Sequence, residues 1–114
     1  VATPPINATL VIYQGTTWEK RWRVTDPGTG VPRDLSEWSA RGQMRANHSD
    51  DTVLHEWTDI DCDEDGYVTI AVTPAESSAW TWRDAVYDIE LIDPTGRVAR
   101  IAQGAVRVSA EVTR

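Results

Sequence analysis

Three carboxylates at alternate positions, Asp61, Asp63 and Asp65, followed by Gly66, come nearest in this chain to the spacing of a metal site. They match positions 1, 3 and 5 of a calcium loop, with the turn glycine at position 6 and apolar Val68 at position 8. The match then ends, because position 12 is Val72 in place of the bidentate Glu, and the residues after Gly66 alternate as in a strand. Asp61, Asp63 and Asp65 are the metal candidates, but the reading is a solvated acidic turn with no cofactor. Repulsion among the acids itself favours exposure.

Nucleophilic catalysis would need a nucleophile, a base and an orienting acid. The only histidines, His48 and His55, fall in or beside a polar loop with no evident partner. Cys62 lies among acids, which raise a thiol pKa and weaken the nucleophile. No catalytic residue is expected, and the chain is read as a non-enzyme. As the single cysteine, Cys62 also excludes an internal disulfide.

Six tryptophans and no phenylalanine make Trp the large core side chain. Trp18, Trp22 and Trp38 are expected in the core, whereas Trp80 and Trp82 flank a polar turn where at least one faces outward. Beside Arg83, an exposed Trp would be an interface anchor. An aromatic platform for a sugar is the competing reading. Arg21, Arg23, Arg41 and Arg45 form a basic stripe suited to an acidic partner, and with the acidic turn they would permit head-to-tail contact between copies.

These residues must be carried by strands. After Val1 to Pro5, whose Pro4 and Pro5 suggest an extended docking arm, Leu10 to Tyr13 and Thr17 to Val24 read as strands. In Ser39 to Ala46, Ala40, Gly42 and Met44 alternate with Arg41, Gln43 and Arg45. Val53 to Trp57 is a short strand. Tyr67 to Val72 puts Val68, Ile70 and Val72 on one face. Thr73, Pro74 and Glu76 spell a capping box for one or two helical turns. Ala85 to Ile92 alternates through Tyr87, Ile89 and Leu91, and Asp93-Pro-Thr-Gly96 turns it into Arg97 to Ala102. After Gly104 a final strand is expected to bury Val106, Val108, Ala110 and Val112. The expectation is all-β: a single antiparallel β-sandwich of about eight strands with one short helical turn, residues 1–7 forming an arm and 8–114 the domain.

The 114 residues suffice for one core. A net charge of -7 repels a phosphate backbone, so nucleic acid is not expected as partner. No apolar run approaches the roughly 18 residues of a membrane span, and no membrane partner is expected either. Most of the acidity lies after residue 57, where eleven acids face five bases.

The order of signals resembles small structural proteins of tailed-bacteriophage virions, similar to their immunoglobulin-like or baseplate N-terminal-like sandwich modules. The resemblance is carried by Tyr13-Gln-Gly-Thr16 with Trp18 and Arg21, Asp34-Leu-Ser-Glu-Trp38-Ser-Ala-Arg41 with Gln43 and Arg45, and Gly66-Tyr-Val-Thr-Ile70. It continues through Tyr87-Asp-Ile-Glu-Leu91, Asp93, Gly96-Arg-Val98, Gly104-Ala-Val106 and Glu111-Val-Thr-Arg114. It implies a virion component of the tail, baseplate or head, present in several copies and bound to other virion proteins, with a homo-oligomer among the forms it could take. Capsid decoration and a carbohydrate-binding module for host adsorption are the alternatives. The protein-contact candidates are Pro4, Pro5, Arg41, Arg45, Trp80, Trp82 and Arg83.

Overall fold

The computed structural model describes residues 5–112; Pro4 of the expected arm lies outside them. The chain runs β1 (Ile6–Asn7), β2 (Leu10–Tyr13), β3 (Trp18–Arg23), β4 (Ser39–Arg45), β5 (Val53–Trp57), β6 (Asp61–Cys62), β7 (Tyr67–Val72), α1 (Pro74–Ser78), β8 (Asp84–Ile92) and β9 (Val98–Ser109). The larger sheet is ordered β1-β9-β8-β4-β5, with β2 also on β9, and the smaller β3-β7-β6. Apolar residues recur with period two on the inner face of each, so the sheets must close on one another. Met44, Ile89, Leu91, Ala102 and Val106 from one meet Trp22, Val68, Ile70 and Val72 from the other. The result is the expected all-β sandwich, with pairings that skip along the chain as in the immunoglobulin arrangement.

The helical turn forms as its sequence dictates. Thr73 Oγ1 accepts from the Glu76 N–H at 3.1 Å, and the Glu76 carboxylate accepts from the Thr73 N–H at 2.9 Å. Pro74 occupies the first turn, where its missing N–H costs nothing.

Two departures concern the chain ends. Ile6 and Asn7 of the expected arm are a strand, and β1 and β2 both run parallel to β9 in one register, Ile6 opposite Ala102 and Leu10 opposite Val106. The sheet is therefore mixed. The two strands expected on either side of Gly104 are one twelve-residue strand, β9. Gly104 is needed there because a Cβ would run into the backbone of Ala8. The same Ala8 carbonyl accepts the Tyr87 hydroxyl at 2.7 Å, satisfying a phenol whose pKa burial pushes up to about 12. Beyond Ser109 the expected inward alternation stops: Ala110 is exposed, and so is Val112.

Candidate interaction surface

The four arginines read as one stripe belong to two sheets. Arg41 and Arg45 lie on β4 of the larger sheet, Arg21 and Arg23 on β3 of the smaller, and the sandwich places them on opposite outer faces. Alternation fixes which side of a strand faces out; it does not fix which sheet the strand joins.

On the larger sheet the charges are compensated. Arg41 Nε donates to Glu90 at 2.7 Å, Arg100 lies 3.6 Å from Asp88, and Gln43 donates to Glu56 at 2.9 Å. Arg45 donates to the Gln43 side chain and to the Asp50 carbonyl. A partner for Arg41 or Arg45 would first have to displace these groups, which weakens both as contact candidates.

On the smaller sheet the arrangement differs. Arg23 is directly opposite Tyr67, Arg21 opposite Thr69, and both guanidinium carbons lie over the Tyr67 ring, at 4.8 Å and 4.0 Å from its centroid. The one polar anchor recorded for the pair is Arg23 Nε on the Asp65 carbonyl at 3.0 Å. Among the described residues neither arginine has an ion-pair partner. Two guanidiniums held over an aromatic ring lose little rotamer freedom when they bind, and the terminal N–H groups of Arg23 together with the N–H edge of Arg21 point to a geometry suited to carboxylates. Tyr67 was absent from the sequence-based candidates. Its signal was the diagonal cross-strand relation to Arg21, which appears only once the β3–β7 register is known.

Trp80 is not an exposed anchor. It is 9% accessible, with one neighbour in Trp82, stacked at 4.6 Å, and another in His55, edge-on at 5.3 Å. Trp82 is half-buried, and Arg83 is exposed with a guanidinium N–H on the Trp82 carbonyl. An open two-Trp platform for sugar is therefore not formed. Pro5 is half-buried beside β1.

His55 has a partner the sequence did not reveal. Its Nε2 lies 4.0 Å from Glu76 Oε2, its side chain is 10% accessible, and its ring meets Trp57 edge-on. Burial depresses the His55 pKa and Glu76 partly restores it, leaving a neutral imidazole at neutral pH. A strand and a helix distant in sequence bring the two together. Gln14 was likewise missed. Its Nε2 donates to the Ser77 carbonyl at 3.0 Å and the Trp80 carbonyl at 2.9 Å, capping the end of α1 in place of a basic residue.

The acidic turn is built by its own backbone. One oxygen of Asp63 accepts from the Asp65 and Tyr67 amides at 3.0 and 2.9 Å, and Gly66 takes φ +89°. Asp61 sits on β6, and among the described residues no three His, Cys, Asp or Glu side chains are grouped to hold a metal ion. Asp61, Asp63 and Asp65 are thus not brought together as ligands. Half-burial pushes the Cys62 thiol pKa up, with Asp61 and Asp63 adding to it. The direction is the expected one, with burial as the larger cause.

The strand order of the two packed sheets defines a class, an immunoglobulin-like β-sandwich. No family model matches the chain, and no curated protein does. Among solved structures it is similar to one described as a site-directed photo-crosslinking analysis of multimeric cell-adhesive interactions of VGSC beta subunits. The two share 11% identity over 90% of this chain and 92% of that one, with a TM-score of 0.46. At that identity and overlap the likeness bears on neither function nor partner.

Proposed function

We propose that the protein is a non-enzymatic structural component of a tailed-phage particle, in the tail or baseplate or associated with the head, that binds other virion proteins. The landmark residues from Tyr13 to Arg114 support the phage assignment. The observation that carries the binding role is the Arg21–Tyr67–Arg23 platform, two guanidiniums prearranged over a ring on an outer sheet face and without an ion-pair partner among the described residues. Arg and Tyr at a fixed geometry are the residue types that dominate protein interfaces. The chemistry fits a carboxylate-bearing segment of the partner, to which each guanidinium offers paired N–H donors.

The test is incorporation into particles. Tagged wild type should co-purify with phage structures, and R21E/R23E should not, while keeping its circular dichroism spectrum and a cooperative melt. Separating heads from tails in lysates defective for one or the other then identifies the location. Equal incorporation of the double variant would remove the platform from the interface.

A further inference from the structure

The register of the smaller sheet lays out its outer face residue by residue. On β3 the outward positions are Glu19, Arg21 and Arg23, since Trp22 between the two arginines is in the core. Opposite them on β7 stand Ala71, Thr69 and Tyr67, and Asp61 of β6 is opposite Thr69. Val68 and Ile70 are fully buried, so Thr69 shares the outward side with Tyr67. Arg21, Thr69 and Asp61 therefore form one row across the sheet.

The two guanidiniums are bordered by carboxylates that do not pair with them. Glu19 lies two residues along β3 from Arg21, about 7 Å away on the same side. Asp61 lies two strands across from Arg21, about 10 Å away. Asp65 borders the Arg23 end, where its carbonyl accepts Arg23 Nε at 3.0 Å. All three acids are exposed, and none forms an ion pair with Arg21 or Arg23. Separations of this size are comparable to the screening length of about 8 Å at physiological salt, so a ligand seated on the arginines feels the acids around it.

We propose that the segment docking here carries a single carboxylate flanked by basic side chains, with the carboxylate on Arg21 and Arg23 and the bases toward Glu19 and Asp61. This rests on the platform being the docking face proposed above, and adds the charge pattern of what docks. Charge selects the same occupant at two scales. Nearby, a lone carboxylate takes the paired N–H donors, while its basic neighbours meet acids that have no ion-pair partner among the described residues. A run of acids would instead set its outer carboxylates against Glu19 and Asp61, and like charges facing each other across an interface reject a partner. At long range the net charge of -7 repels an acidic run and attracts a segment of net positive charge. Glu19 and Asp61 are thus the specificity determinants of the platform.

The test is an NMR titration of the labelled protein with three end-blocked peptides, Lys-Asp-Lys, Asp-Asp-Asp and Lys-Asn-Lys. Wild type should bind Lys-Asp-Lys at least roughly tenfold more tightly than either of the others, the Lys-Asn-Lys comparison removing simple attraction to an acidic protein. R21E/R23E should lose the preference for Lys-Asp-Lys over Lys-Asn-Lys. E19Q/D61N should bind Lys-Asp-Lys more weakly and Asp-Asp-Asp more tightly, bringing the two within about threefold. If Asp-Asp-Asp bound wild type as tightly as Lys-Asp-Lys through the arginines, or if E19Q/D61N left the preference intact, the charge pattern would be wrong and the platform would stand. If none of the peptides bound, if Lys-Asn-Lys bound as well as Lys-Asp-Lys, or if R21E/R23E kept the preference, the platform would fall and the charge pattern with it.

Discussion

The two outer faces of the sandwich carry arginine on similar strands and use it differently. On the larger sheet Arg41, Arg45 and Arg100 are met by Glu90, Gln43, Asp50 and Asp88 within the molecule. On the smaller sheet Arg21 and Arg23 have an aromatic ring beneath them and, among the described residues, no ion-pair partner. Net charge does not reveal this, because it sums over both faces. A compensated face exchanges one set of ion pairs for another on binding, whereas an uncompensated one gains charge-assisted hydrogen bonds whose donors are already in place. The contrast makes the smaller sheet the more capable docking face, and it can be broken by experiment.

The largest effect is expected from R21E/R23E. Interface anchors of this type are worth about 2 kcal/mol or more each, so partner affinity should fall a hundredfold or more. Folding stability should fall by only about 1–2 kcal/mol, since what is lost is two exposed cation–π contacts and the exposed Arg23 hydrogen bond to the Asp65 carbonyl. R41E, the matched reversal on the other face, should leave affinity within a few fold. If both variants lost binding equally, by surface plasmon resonance against isolated particles, the contrast between the faces would be void.

Between the faces lies the connection from β7 to β8, tied by Gln14 to the carbonyls of Ser77 and Trp80. Q14A should lower unfolding stability in urea by about 1–3 kcal/mol, the cost of leaving partly buried acceptors unpaired, without changing partner affinity. A variant that kept its stability but lost binding would move the contact from the open face to this seam.

The same seam holds His55, and acid sharpens the comparison because the arginines on both faces stay charged. Burial lowers the His55 pKa in the folded protein. The unfolded chain therefore takes up the proton more readily, and the stability due to neutral His55 is complete above its unfolded pKa near 6.5. It is lost as pH falls from there through the depressed folded value. Glu76, held below the usual carboxylate range chiefly by the Thr73 amide, adds a loss of the same sign at more acid pH. Urea midpoints at pH 7.5 and 5.5 should differ for wild type and much less for His55→Phe. An equal slope in the variant would place the titration elsewhere.

What the sequence made legible was local. The capping box of Thr73 and Glu76, the turn at Asp93 and the inward sets of β4, β7 and β8 each depend on residues within one element, and all formed as read. What stayed hidden depends on residues far apart. Gly104 looked like a strand end, although its role is to admit Ala8 to the side of a continuous β9. Trp80 sits beside a polar turn yet is buried, because His55 and Trp82 cover its ring. The grouping of Arg21 and Arg23 with Arg41 and Arg45 failed for the same reason, since membership of a sheet is decided by tertiary pairing. The candidate site was therefore half visible: both arginines were singled out, and the tyrosine that arranges them was not.

The smallest effect tests whether the larger face is compensated in energy as well as in geometry. Arg41 and Glu90 are directly opposite on β4 and β8, and their side chains are 60% and 26% accessible, so water screens much of their attraction. A double-mutant cycle of R41A and E90A should give a coupling of about 0.2–1 kcal/mol, as exposed pairs do, falling with added salt. A coupling in that range means the pair holds the two side chains in place without adding much stability, and that exchanging it for a partner's charges would gain little. A coupling near zero would leave Arg41 as free to bind as Arg21, and the distinction between the faces would then rest on Tyr67 alone.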